Sequence, residues 1–284
     1  MTESSPTEGL AAWVHSDKVH DELDALQEIV FNSITSQFRN PVAGSSDTEP
    51  PVVIGFDTNV LKFLRRDVTK VAQLAEHARA GRLHLVLPGQ AITEFWNNYD
   101  VFTKEDVQTA ISSAQKLEKI EIPGVAEKAS EIIGILNRVG SSADDSAQSA
   151  YSRASQVIDN FENNALIPRA NRHLFHTLAE ARLSAKVPPG FKDASKTSPA
   201  GDFYIWIEFL MGALAWKRLR GFATVQPVLV TGDTKADWRT AGDIHPVLQM
   251  EARAVLGDPV ELWSFKDLNN AVKDLYPNPD LEVD

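Results

Sequence analysis

Four short apolar runs constrain this chain more than any other feature. Residues 52–56 read VVIGF, 83–87 read LHLVL, 226–231 contain QPVLVT and 259–263 contain PVELW. Each is too short for a helix and rich in β-branched or aliphatic residues, the pattern of a buried strand. Between them lie segments of helical period. Residues 68–80 form one, stopped by Gly81, and Pro88 opens another that carries Ile92, Phe95 and Trp96. A third, 202–220, contains Phe203, Trp206, Ile207, Leu210, Leu214 and Leu219, and a last one lies near 265–275. Apolar strands alternating with helices indicate an α/β fold whose parallel sheet, of about four or five strands, is covered on both faces.

The remaining segments add to this frame. Residues 103–185 are helical by period, with breaks near Pro123, Gly140 and Pro168, and are expected to form a long helical insert. Residues 1–50 are expected to be a leader with one helix over 17–39, on which Leu23, Leu26, Val30, Phe31 and Ile34 share a face. Residues 51–276 then make the main domain and 277–284 a tail.

Composition excludes several chemistries. The 284 residues include no cysteine, so disulfides, thiolate zinc sites and a cysteine nucleophile are out. The formal net charge of -11 argues against coating nucleic acid by bulk positive charge. It leaves room for an enzyme that acts on nucleic acid, because a carboxylate metal site is itself negative. No apolar run approaches the ~20 residues of a membrane span, and the N-terminus lacks the order of a signal peptide. A soluble cytoplasmic protein is expected.

Ligands of open parallel sheets sit beyond the carboxyl ends of the strands. The run 52–56 ends directly in Asp57, and 226–230 ends in Thr231-Gly232-Asp233. Glu94 lies on the first turns of the helix after the second run, and Asp202 opens the helix that leads to the third. Four acids from four elements thus point to one rim. Each has a plainer reading: Asp202 and Asp233 stand where N-caps stand, Asp57 could cap the helix from Val60, and Glu94 suits a helix N-terminus. Those readings leave unexplained why the acids gather, since crowded carboxylates repel unless a cation relieves them. Oxygen ligands without cysteine point to Mg²⁺ or Mn²⁺, as one ion or as a pair ~4 Å apart.

Taken in order, IGFDTNVL, VLPGQAITEFWNN, PPGFKDASKTSPAGDFYIW and VLVTGDTKADW resemble the PIN-like nuclease family over roughly residues 52–265. They are most similar to a bacterial subgroup formerly labelled a domain of unknown function. The resemblance implies a PIN-like three-layer fold and a metal-dependent nuclease, an endoribonuclease before a deoxyribonuclease. Asp57, Glu94, Asp202 and Asp233 map onto the family's four acids as catalytic metal ligands, and Asp237 onto an additional acid sometimes present. Thr58, Asn59, Lys62, Lys192, Lys196, Thr231 and Lys235 are the expected substrate-binding neighbours. A nucleic-acid substrate, a homodimer and a restraining protein partner in a defence or toxin system are the partner expectations. Two rivals stand beside this reading. LVTGDTKAD also fits an aspartyl phosphatase of the haloacid dehalogenase type with Asp57 as nucleophile, although Asn59 stands where that chemistry wants a second Asp. The same fold could instead be a non-catalytic interaction module.

Overall fold

The computed structural model describes residues 50–141, 143–193 and 199–275. The expected leader helix over 17–39 and the tail lie outside them. The sheet has five strands, all parallel: β1 (Val52–Phe56), β2 (Leu83–Val86), β3 (Ala165–Leu166), β4 (Gln226–Val230) and β7 (Glu261–Trp263), in the order β3-β2-β1-β4-β7. A small antiparallel pair, β5 (Arg239–Thr240) and β6 (Asp243–Ile244), follows β4. The helices are α1 (Thr58–Leu64), α2 (Val68–Arg79), α3 (Gly89–Glu118), α4 (Val125–Ser141), α5 (Ala143–Glu162), α6 (Arg172–Ala185), α7 (Gly201–Arg220), α8 (Pro246–Leu256) and α9 (Phe265–Leu275).

Strand periodicity sorts the core into two layers. Val53, Val86 and Leu229 face one side, where they meet α6, α7 and α8 through Phe175, Trp206, Leu210 and Leu248. Ile54, Phe56, Leu85, Val228 and Val230 face the other, against α1, α2, α3, α5 and α9. Every central strand position is therefore covered, which is why the runs read as apolar throughout. Helix α7 sits closest. A Cβ on Gly55 would lie 2.3 Å from the Phe209 ring, and one on Gly212 would lie 2.4 Å from Val86. Glycine on the strand and glycine on the helix thus let the two backbones approach, and a methyl at either would cost roughly 1–3 kcal/mol in overpacking.

The segment 103–185 is less of an insertion than its period suggests. α3 runs unbroken into it, α5 packs Ala154, Val157 and Phe161 into the core, and β3 pairs with β2 as an edge strand. Only α4 stands apart, packed on α3, with Ile132 and Ile135 exposed and Ala129 buried.

A buried ion pair ties the other layer together. The Arg182 guanidinium of α6 donates to Glu251 of α8 and to the carbonyl of Pro188. Trp206 of α7 donates its Nε1–H to the second oxygen of Glu251 at 2.8 Å. Both charges are almost fully buried, so each needs the other.

Strand order reverses between β1 and β4. The chain leaves β1 toward β2 and β3 on one side and leaves β4 toward β7 on the other. The crevice at such a reversal, beyond the carboxyl ends of the strands, is where this class of sheet binds ligands.

Candidate active site

Asp57 and Thr231 are the residues that follow β1 and β4. The strands pair in register with Phe56 beside Val230, and the Asp57 amide continues the ladder to the Val230 carbonyl at 3.0 Å. The Thr231 hydroxyl donates to Asp57 Oδ2 at 2.7 Å and accepts from the Asp233 amide at 3.0 Å. Asp57 holds the N-cap position of α1, yet its side chain makes no cap bond. The carboxylate is held instead by the Thr231 hydroxyl across the β1–β4 boundary.

Glu94 reaches the same place from α3. Its Oε2 accepts from the Thr58 hydroxyl at 2.9 Å and its Oε1 from Gln90 Nε2 at 2.7 Å. A Cβ on Gly201 would stand 2.3 Å from Glu94 Oε1, so the glycine before Asp202 makes room for this acid. Gln90 is held in turn. Its amide donates to Glu208 Oε2 at 2.6 Å, and Arg172 donates to its Oε1 at 2.8 Å while pairing with Glu208 at 3.0 Å. Glu208 is fully buried, and that burial raises its pKa. Gln90 and Glu208 were not among the expected site residues. The four-residue spacing of Gln90 and Glu94 on one helix face was the available signal.

Asp202 lies in the second position of α7, which starts one residue earlier than expected from sequence. Ala200 is the N-cap and makes no side-chain cap bond. Asp202 Oδ2 instead accepts from Trp238 Nε1 at 3.2 Å. Trp238 is buried against Trp206, ring centroids 6.3 Å apart, so it both packs beneath the site and orients an acid. Asp233 closes an Asx turn, accepting the Lys235 amide on Oδ1 at 2.8 Å. The capping-type reading therefore holds for Asp233, and fails for Asp57 and Asp202.

Electrostatics connects the four acids. Burial pushes the Asp57 pKa up from 3.8 to about 6; the Thr231 hydroxyl opposes this, Glu94 adds to it, the Thr58 amide opposes it and Asp233 adds to it. Burial pushes Asp202 up to about 7, with Asp57 adding to the effect and Trp238 and Lys235 opposing it. Like charges raise each other's pKa only at short range, so the acids share one field.

Asp237 occupies a different position. It is fully buried, and its Oδ2 accepts the amides of Gly190 at 3.1 Å and Lys192 at 3.0 Å. This clamps the 188–193 loop against Asp202, whose Cβ lies 3.2 Å from where a Cβ on Gly190 would be. Asp237 Oδ1 is buried with no hydrogen-bond partner among the described residues. Asp193, on the 3-10 turn Phe191–Asp193, pairs with Lys235, and Lys235 also reaches Asp233. Of the other expected contacts, Asn59 and Lys192 have exposed side chains, Lys62 is half-buried on α1, and Lys196 lies outside the described residues.

Every donor atom at this rim is a hard oxygen, and two of the acids carry raised proton affinities that a cation would relieve. That chemistry fits Mg²⁺ or Mn²⁺. Among the described residues no three acidic or imidazole side chains already stand as a closed metal-ligating group. Hydrogen-bond donors and the Lys235 ammonium hold several of the carboxylate oxygens. Among the described residues no helix is long and apolar enough to cross a membrane.

Residues 172–247, which span Asp202, Asp233 and Asp237, match the family described as a PIN like domain, a nuclease-type fold. No curated protein and no solved structure gives a significant match.

Proposed function

From the premise that this chain carries a PIN-like domain, we propose that it is a divalent-metal-dependent nuclease, an endoribonuclease in the first instance. The observation that carries this reading is the gathering of the acids where strand order reverses: Thr231 links Asp57 to the Asp233 amide, Thr58 links α1 to Glu94, and the Asp57 charge acts on Asp202. Mg²⁺ or Mn²⁺ would be held by Asp57, Glu94 and Asp202, with Asp233 beside them. When bound, such an ion supplies the positive charge that acidifies water and offsets charge on a phosphodiester.

The protein's own groups do the positioning. The Thr231 hydroxyl fixes Asp57 through Oδ2, and Thr58 and Gln90 fix both oxygens of Glu94. Trp238 fixes Asp202 through Oδ2. These bonds hold the acids at a set spacing before substrate arrives, which lowers the reorganisation left for the reaction. Asp202, whose pKa burial pushes up to about 7 in the metal-free protein, is an acid whose charge a bound cation would stabilise. Arg172, bonded to Gln90 and paired with Glu208, braces the residue that holds Glu94.

Incubating the protein with single-stranded RNA, single-stranded DNA and duplexes, with Mn²⁺ or Mg²⁺, tests the reading. Cleavage of RNA that disappears in Asp57→Asn and Asp233→Asn is expected. No cleavage of any nucleic acid, with turnover of small phosphomonoesters and a trapped phosphoaspartate at Asp57, would move the protein to the aspartyl phosphatases.

A further inference from the structure

We propose that the Lys235 ammonium is this site's resident second cation. The chain then takes up a single divalent ion on Asp57, Glu94 and Asp202, while Asp193 and Asp233 remain with the lysine. The inference rests on the metal-dependent reading above and specifies how many ions that site holds.

Lys235 Nζ lies 2.8 Å from Asp193 Oδ2 and 2.9 Å from Asp233 Oδ2, between two carboxylates whose side chains are each 10% exposed. These are charge-assisted distances, the strong kind of hydrogen bond. The lysine is also tied at its backbone. Its amide donates to Asp233 Oδ1, so one residue engages both oxygens of Asp233. An ion from solution would have to displace a cation that is covalently tethered two residues from one of its ligands, and tethering removes most of the entropy cost of binding. Repulsion adds to this. A dication beside Asp233 would sit against a unit positive charge in a partly desolvated crevice, where such repulsion is larger than in water.

The nest for the ammonium is built, not incidental. Asp193 belongs to the loop that Asp237 clamps through the Gly190 and Lys192 amides, and its own amide closes the 3-10 turn onto the Gly190 carbonyl at 2.9 Å. Asp237, Lys235 and Asp233 all come from the segment after β4. That segment therefore sets Asp193 in place and also supplies the cation that Asp193 receives. The opposite half of the site takes side-chain hydrogen bonds from neutral groups: Thr231 to Asp57, Thr58 and Gln90 to Glu94, and Trp238 to Asp202, which feels the Lys235 charge through space.

Mn²⁺ titration by calorimetry, with electron paramagnetic resonance of the loaded protein, tests this on the full chain. The native protein should bind one Mn²⁺ per chain and give an uncoupled spectrum. Lys235→Met should bind two, with spin coupling between neighbouring ions, and Lys235→Arg, which keeps the charge, should stay at one. Two ions in the native protein, or an unchanged single ion in a folded Lys235→Met variant, overturns the proposal alone. The native count decides even where the methionine variant does not fold. Failure of every form to bind Mn²⁺ overturns the proposal together with the metal-dependent reading.

Discussion

Replacing Asp57 with Asn should stabilise the metal-free protein while abolishing its chemistry. Asp57 is 6% exposed, and its pKa rises from the ordinary 3.8 to about 6, chiefly because burial penalises its charge. Below pH 3.8 the group is protonated in both folded and unfolded chains and costs nothing. As pH rises toward 6, the unfolded chain ionises freely and the folded one resists, so stability falls across that window and levels off above it. At about 1.36 kcal/mol per pH unit, the gap is worth about 3 kcal/mol. Asn keeps an acceptor for Thr231 but loses the charge that strengthens that bond, a loss of about 1 kcal/mol. The net gain of about 2 kcal/mol corresponds to a melting temperature higher by roughly 4–8 °C. Thermal unfolding in chelator from pH 5 to pH 8 measures it. The native protein should lose stability as pH rises toward 6, more steeply than Asp57→Asn, with Asp202 extending the loss to about pH 7 and these two groups adding none above it. Added Mn²⁺ should raise the melting temperature of the native protein far more than that of the variant. An Asp57→Asn variant that melts at or below the native temperature at pH 8 in chelator would refute the claim that this carboxylate is held at a cost.

Three other changes probe the supports. Gly201→Ala places a methyl 2.3 Å from Glu94 Oε1. The carboxylate must swing away from Gln90, and Mn²⁺ affinity measured by calorimetry should fall about tenfold, or about 1.4 kcal/mol, with little change in melting temperature. Trp238→Phe removes the Nε1–H that holds Asp202's proton affinity down. In metal-free protein the Asp202 carboxyl titration, followed by NMR, should then move upward by roughly half a pH unit to one unit; an unmoved titration would refute the role given to the Trp238 contact. Arg182→Met leaves the Glu251 carboxylate buried with Trp206 as its remaining side-chain donor among those described above. Urea denaturation should register a loss of roughly 3–5 kcal/mol, and a variant as stable as the native protein would show that the pair is dispensable.

The strands and the outer two acids were legible because the signal is local. A strand covered on both faces must be apolar at every position, and the residue that leaves its carboxyl end has one direction to go. The place of Asp57 follows from that alone, and Asp233 lies two residues past Thr231, the residue that leaves β4. Asp202 was legible as an acid at the rim but not in its role, because the α7 start lies one residue earlier and the decisive donor, Trp238, is 36 residues away. The pairing of Lys235 with Asp193 spans 42 residues, and the Asp237 clamp on Gly190 spans 47. Neither leaves a periodic trace, so from sequence Lys235 reads as a substrate contact and Asp237 as an additional metal acid. β3 escaped notice for another reason. It has two residues and sits inside a stretch whose helical period dominates any window wide enough to measure.

That two-residue strand sets a limit on how the protein can be pared down. The Leu87 amide bonds the Leu166 carbonyl at 2.8 Å and the Gly89 amide bonds the Pro168 carbonyl at 3.0 Å, so the segment after α5 holds the first turn of the helix that carries Glu94. Excising 103–185 as a cassette would unlace the sheet margin and let that acid drift. The dispensable portion is the far end of the α3–α4 hairpin, around Ile120 and Ile122, where the side chains already stand in solvent. A loop spliced there should leave cleavage intact, and the same spot is the natural anchorage for a fluorophore or an affinity handle.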